Sequence, residues 1–342
     1  MPSANVTWPN PLTRVNQIFP GQMGVPGTWS ETGLRQHSTG VIIWVDPNCP
    51  WAEDQQDGTD PGHPMATIAA ALTKCQPYRG DTIAVMANGF WTDAPGGAAN
   101  YPLPIAETLT VSVHGVRIVG VFPSSVLGVP WQAVAAGDTI VTVTGIDVLI
   151  EGFCFMGESA AGGVYCNGIY AAWAGGAPGP WGDCLTVRHC FFDSHIQRAI
   201  RLEFSWNSDI HHNIFQGCDI AGIYSDGAPA ISTCHFHDNW FYEVGAGETG
   251  AISVVNATNC KIDHNQIFNL DAARGVAATN EGINTTGGGQ NIVHENVLSC
   301  LLPVPAVGDY DDFCSGNAAP PNETDAWIQN YCLDGPSVTN PT

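Results

Sequence analysis

Basic residues are scarce in this sequence: 10 Lys plus Arg stand against 32 Asp plus Glu, for a formal net charge of −22. So acidic a chain repels phosphate backbones, anionic lipid surfaces and acidic polysaccharides, and neither nucleic acid nor membrane is expected as a partner. Long apolar runs are lacking too, since none reaches the roughly 18 residues of a membrane-spanning helix. The opening "MPSANVTWPNPLTRVNQIFPGQMG" has no basic stretch followed by an apolar one, so no secretory signal is read there. Only 12% of residues are charged, while glycine numbers 39. That balance argues against a helical bundle and for an all-β protein with many turns. Cysteine is plentiful at 12, yet no C-x-x-C pair occurs. Zinc-finger spacing is thereby excluded, and the thiols are read as buried apolar groups. Were disulfides to form, Cys314 with Cys332 and then Cys49 with Cys75 would be the pairs to expect.

Residues 1–40 carry scattered Trp8, Ile18, Phe19, Met23 and Trp29 among Pro, Gly, Asn and Thr, without helical or strand periodicity. Such a segment is an extended arm that orders against a partner. From residue 41 the texture changes to short β-branched runs, "VIIWVDPN", "DTIAVMANGFW" and "DTIVTVTGIDVLIEGFCF", broken by turn residues. "MATIAAALTKC" (65–75) is the one amphipathic helix pattern.

The second half repeats itself. "VLIEGFCF", "LTVRHCFF", "SDIHHNIF", "CHFHDNWF", "CKIDHNQIF" and "NIVHENVL" align on Ile150, Val187, Ile210, Phe236, Ile262 and Val293, spaced by 37, 23, 26, 26 and 31 residues. Five positions after the anchor stand Phe155, Phe192, Phe215, Phe241, Ile267 and Leu298. Three after it stand Phe153 and Cys190, then Asn213, Asn239, Asn265 and Asn296. A second strand precedes each of the last five, with Ile169, Ile200, Ile223, Ile252 and Ile283 in register. A unit this short cannot bury its apolar face alone, so successive units stack as turns of a solenoid with two or three parallel strands each. Anchors and +5 aromatics form inward columns, and the four asparagines form a side-chain ladder at a bend. The helix then covers the first coil.

"VDPN", "DGTDPGHPMATIAAAL" and "GDTIAVMANGFW" resemble the opening of right-handed parallel β-helix proteins of the pectate-lyase-like superfamily. The resemblance covers residues 41 to about 300 and implies an all-β, right-handed parallel β-helix with a short N-terminal capping helix. The expected division is an extended arm at 1–40, the β-helix at 41–300, and a tail or cap at 301–342. The superfamily includes polysaccharide lyases and hydrolases and also phage tailspikes and other virion proteins.

Chemistry has three candidate places. Beside the ladder, the +1 column holds Glu151, Arg188, His211, His237, Asp263 and His294, and the +2 column holds His189, His212, Asp238, His264 and Glu295. Stacked strands hold such side chains parallel, about 5 Å apart, so the columns are read as a surface ladder and no metal is assigned to them. On the strand before the anchor, Glu203 and Asp226 fall in one outward column on successive turns, the separation of retaining-glycosidase carboxylates. They are the candidate catalytic pair, with Tyr170, Arg201 and Tyr224 as candidate substrate-binding residues. Polygalacturonase and lyase residue sets, which the resemblance would bring, are not found. Finally "DPNCPWAEDQQDGTDP" (46–61) carries Asp46, Asn48, Glu53, Asp54, Asp57 and Asp60. It is read as an acidic solvated turn, and Ca2+ is the one cofactor its oxygens would suit.

Two functions are therefore weighed. The preferred one is a structural virion protein, a phage capsid decoration or tail-associated spike, not an enzyme. It would be homotrimeric, would contact capsid or tail proteins through 1–40 and 301–342, would assemble in the host cytoplasm, and would meet a surface glycan at most as a ligand. The alternative is an extracellular carbohydrate-active enzyme, a polysaccharide hydrolase or lyase, acting on a glycan laid along the β-helix face.

Overall fold

The computed structural model describes residues 40–86, 104–121, 128–157, 166–172, 182–193, 196–225, 230–244, 250–268, 282–299, 314–315 and 325–332. The expected arm lies outside them apart from Gly40. The chain winds as a parallel β-helix of three sheets, with one short helix among the described residues. Ten strands, from Ile42–Val45 to Ala326–Ile328, make what we call the anchor sheet. Nine, from Ile105–Ala106 to Tyr331–Cys332, make the phenylalanine sheet, and eight, from Leu109–Val111 to Cys314–Ser315, make the isoleucine sheet.

A complete turn thus contributes one strand to each sheet. The anchor column is as aligned from sequence, with Ile150 opposite Val187, Val187 opposite Ile210, and Ile210 opposite Phe236. It also runs further back, through Ile43, Ile83 and Ile118, and further on, to Trp327 opposite Val293. The repeat therefore continues past Cys300, where the sequence reading ended it. Strands Cys314–Ser315, Ala326–Ile328 and Tyr331–Cys332 extend all three sheets by another turn. The 34-residue interval from Val293 to Trp327 hid that turn behind long inserts.

The core is a set of stacked columns. Phe155, Phe192, Phe215 and Phe241 lie ring on ring, with centroids 5.0, 5.0 and 4.6 Å apart, and Trp131 extends the stack at 5.7 Å from Phe155. Each is fully buried, so truncating one to alanine costs about 3–5 kcal/mol.

Helix Ile68–Lys74 buries Ile68, Ala71 and Leu72 against the first coil. Thr67 caps it, accepting from the Ala70 amide at 3.1 Å, and Glu107 from another turn accepts from the Ile68 and Ala69 amides at 3.0 and 2.8 Å. Cys49 and Cys75, the second pair named for the case that disulfides form, are both free thiols. Cys75 closes the buried end of the helix with Sγ 3.5 Å from the Ala71 carbonyl, while Cys49 sits in a surface turn. Cys314 and Cys332 carry no described side chains. Burial pushes the thiols of Cys154 and Cys190 up to about 12.

Candidate functional site

The asparagine ladder sets the geometry of the polar face. Nδ2 of Asn213, Asn239, Asn265 and Asn296 each donates to Oδ1 of the asparagine one turn on, at 3.1, 3.0, 3.0 and 3.0 Å. The last acceptor is Asn330, a fifth rung hidden from the sequence alignment by the same inserts. Each amide also donates to a carbonyl of the preceding turn, as Asn265 does to Phe236 at 2.9 Å. Every buried donor at the bend is thereby satisfied from turn to turn.

The residue just before each rung is bent. His189, His212, Asp238, His264 and Glu295 have φ of 51°, 54°, 53°, 54° and 54°, in the left-handed region. The +2 column is thus a sharp corner between the anchor and phenylalanine sheets and not a strand position, as the stacked-strand reading assumed. In the earlier turn Gly152 takes this place with φ 79°, where a Cβ would stand 2.8 Å from the Gly120 carbonyl oxygen. At the corner, side chains from both sheets turn toward one another.

Convergence follows. Asp209, His235 and Lys261 lie one residue before their anchors, and His211, His237, Asp263 and His294 one after, all on the same outward side. Asp263, with a side chain only 4% exposed, accepts from His235 Nε2 at 2.5 Å, Lys261 Nζ at 3.0 Å and His264 Nδ1 at 2.7 Å, with His294 Nε2 at 3.6 Å. His264 Nε2 reaches Glu295 at 2.6 Å. His237 lies between two carboxylates, with Nε2 3.1 Å from Asp209 and Nδ1 2.7 Å from Asp238. The Nδ1 atoms of His211 and His212 are in hydrogen-bond contact at 2.8 Å, and His211 stacks on His237 with centroids 4.8 Å apart. On the turn before, Arg188 and Glu151 form a buried ion pair at 3.1 Å. The expected exposed ladder is corrected to a partly buried network, because residues before and after the anchor meet diagonally across turns.

The charges sort accordingly. Burial pushes the Asp263 carboxyl up, but hydrogen bonds from His235, Lys261 and His264 outweigh it and hold the group well below the usual carboxylate range. Burial drives His211 down to about 3, with nearby Asp209 only partly opposing it, so this ring is neutral. For His237 burial acts downward too, yet hydrogen bonds to Asp209 and Asp238 raise it overall. Asp209 is lowered: burial raises it, and the His237 hydrogen bond with the neighbouring imidazoles more than compensates.

A groove of about 390 Å³ runs along the corner, lined by His189, His212, Asp238, Trp240, His264 and Gln266 together with rung residues. Trp240 is 49% exposed there. Of the eleven histidines, the groove and its network gather most, a concentration the sequence showed as columns without showing that they meet.

The other candidates stand elsewhere. Tyr170 is opposite Arg201, and Arg201 opposite Tyr224, on the isoleucine sheet. The Tyr170 hydroxyl donates to Glu203, and the Arg201 guanidinium lies 4.8 Å over the Tyr170 ring. Arg198 similarly covers Tyr224 at 4.6 Å. One face of each tyrosine is thus occupied by arginine. Asp226 lies outside the described residues. In the acidic loop, Asp54 accepts from the Thr67 amide, Asp57 from the Thr59 amide and Asp60 from the Gly62 amide, at 2.9, 3.0 and 2.8 Å. These carboxylates bind their own backbone and do not converge.

Comparison with known proteins agrees with this architecture. Residues 144–298 match the family described as "Right handed beta helix region". No curated protein matches the chain in sequence. A DFA-IIIase variant from Arthrobacter chlorophenolicus is 16% identical with a TM-score of 0.50, over 73% of this chain and 57% of its own. The same enzyme in complex with DFA-III gives 16% and 0.49, over 73% and 58%. Pectate lyase Pel9A gives 13% and 0.37, over 88% and 79%. At these identities the likeness is one of fold, and this chain spans little over half the length of the DFA-IIIase structures.

Proposed function

We propose that this protein is a carbohydrate-active β-helix protein that holds a neutral glycan in the corner groove and hydrolyses it with side chains of the +2 column. The observation that carries this reading is the half-exposed indole of Trp240, set in a groove of about 390 Å³ among His212, Asp238, His264 and Gln266. An indole face stacks on a sugar ring, and the polar groups around it can bond the hydroxyls. The net charge of −22 favours a neutral over an anionic chain. Asp238 and Glu295 flank His264 from turns on either side, about 9–10 Å apart by strand spacing. That is near the upper end of the carboxyl separation that leaves room for a water in inverting glycosidases. Glu295, backed by His264 at 2.6 Å, donates a proton to the glycosidic oxygen, and Asp238 takes one from the attacking water. The fold likeness to a DFA-IIIase supports an enzyme on this scaffold by analogy only.

The test is hydrolysis of a panel of neutral oligosaccharides. Asp238→Asn and Glu295→Gln should each lower the rate at least ~10³-fold, with inverted product anomers by NMR, and Trp240→Ala should raise KM. Wild-type protein that neither binds nor cleaves any of the panel sinks the reading. If Glu203→Gln with Asp226→Asn abolishes cleavage instead, the site is on the isoleucine sheet.

One observation favours the assembly reading as a second: Ile328 and Tyr331 on the last described turn, and Ile292 on the turn before, are 50, 54 and 44% exposed. Partner contact there, in a homotrimer or on a particle, predicts that Ile328→Glu with Tyr331→Ser lowers the mass seen by sedimentation. A wild-type monomer removes the homotrimer.

A further inference from the structure

The geometry points to a divalent transition-metal site formed by Asp209, His235 and His237 on the outer face of the anchor sheet. Asp209 stands directly opposite His235 on the adjacent strand, and His237, two residues on, shares the same outward face. One ligand atom from each residue lies within 4.8 Å of the others, which among the described residues marks this trio. His237 Nε2 and Asp209 Oδ1 are already 3.1 Å apart, close to the roughly 3.3 Å between two ligands on a tetrahedral ion with bonds of about 2.0–2.1 Å. The His235 and His237 rings stack with centroids 3.9 Å apart.

What lies behind the imidazoles supports a ligand role. His237 Nδ1 bonds Asp238 at 2.7 Å, which fixes the tautomer whose Nε2 faces Asp209. His235 has its own carboxylate at 2.5 Å, from Asp263. A carboxylate behind a ligating histidine orients the ring and raises its basicity. Side chains of Asp209 and His235 are 39 and 35% exposed, which gives an ion an entry path and an open position for water. Two imidazoles and one carboxylate suit Zn2+, Co2+ or Ni2+, whereas Ca2+ and Mg2+ take oxygen ligands. The inference does not depend on the glycan reading, since the trio lies beside the groove lining and meets it through Asp238 and the edge of the His212 ring.

Full-length protein stripped with a chelator and titrated with Co2+ tests it, by calorimetry and by visible d–d absorption. We expect one Co2+ per chain, displaced by Zn2+. Asp209→Ala and His237→Ala should abolish saturable binding, and Asp238→Asn should weaken it by about 10–100-fold. His63→Ala, in the exposed Asp60–His63 pair, should leave it unchanged. Wild-type protein that takes up no Co2+ at millimolar concentration, or a His235→Ala/His237→Ala variant that binds as wild type does, overturns the proposal. Should those variants fail to fold by circular dichroism, wild-type imidazole NMR decides. Zn2+ must shift His235 and His237 resonances, and unshifted resonances overturn the site.

Discussion

The early and late turns follow one backbone path along the anchor sheet but differ in what they present outward. Over the first four turns Trp44, Ala84, Val119 and Leu149, beside the anchors, join Met86 and Val121 in a second buried apolar cluster. Over the later turns the positions beside the anchors hold Asp209, His211, His235, His237, Lys261 and Asp263, linked by hydrogen bonds and ring stacking. The inward faces do not differ in kind: Ile83, Ile118 and Ile150 match Ile210, Phe236 and Ile262 in burial. Parallel stacking therefore decides where columns run, and the identity of the flanking residues decides whether a face packs or reacts.

The largest effect should come from the apolar half. Trp44→Ala should destabilise by about 3–5 kcal/mol in urea unfolding, while His237→Ala, at the same register position in the polar half, should cost about 1 kcal/mol. Equal losses would erase the contrast. The ladder belongs to the late turns only, and Asn265→Ala removes acceptor and donor together, leaving partners unpaired on both sides. A loss of about 2–4 kcal/mol is expected, and one below 0.5 would mean that the bend holds without its amides. Asp263→Asn should cost about 1–2 kcal/mol at pH 7, by the same measurement.

The last contrast is pH dependence, and its sign differs by residue. His211 has a folded pKa of about 3 against an ordinary 6.5, so its contribution is present above pH 6.5 and lost as pH falls toward 3. Asp263, lowered from 3.8, contributes above that value and loses its contribution as pH falls through the folded pKa. His237, raised from 6.5, contributes below 6.5 and loses its contribution as pH rises through the folded pKa. His211→Gln should flatten the decline of stability between pH 6.5 and 4, and an unchanged slope would show that the ring is not buried neutral in solution.

The solenoid was legible because inward columns leave a one-dimensional trace. Ile210, Phe236 and Ile262 recur with Phe215, Phe241 and Ile267 five residues on, and the ladder asparagines stand at a constant offset of three from their anchors. The first three turns escaped alignment because the residues after their anchors, Trp44, Ala84 and Val119, are as apolar as the anchors, so no polar +1 column marks Ile43, Ile83 or Ile118. The groove was legible only as a list of polar columns. That His264 spans Asp263 and Glu295, or that His237 spans Asp209 and Asp238, depends on a left-handed corner that pattern alone does not reveal. Glu203 follows the isoleucine-sheet strand Ile196–Leu202, and the Tyr170 that bonds it from one turn back is a residue the sequence offered for sugar.

The sequence by itself determined the stacking: apolar residues at fixed intervals must bury against their own repeats, and buried amides must find the next rung. Tertiary structure alone decided which polar residues meet. Contacts between turns depend on how the φ ≈ 54° corner aims neighbouring side chains and on diagonal reach across strands. Neither is a property of any single segment of the chain.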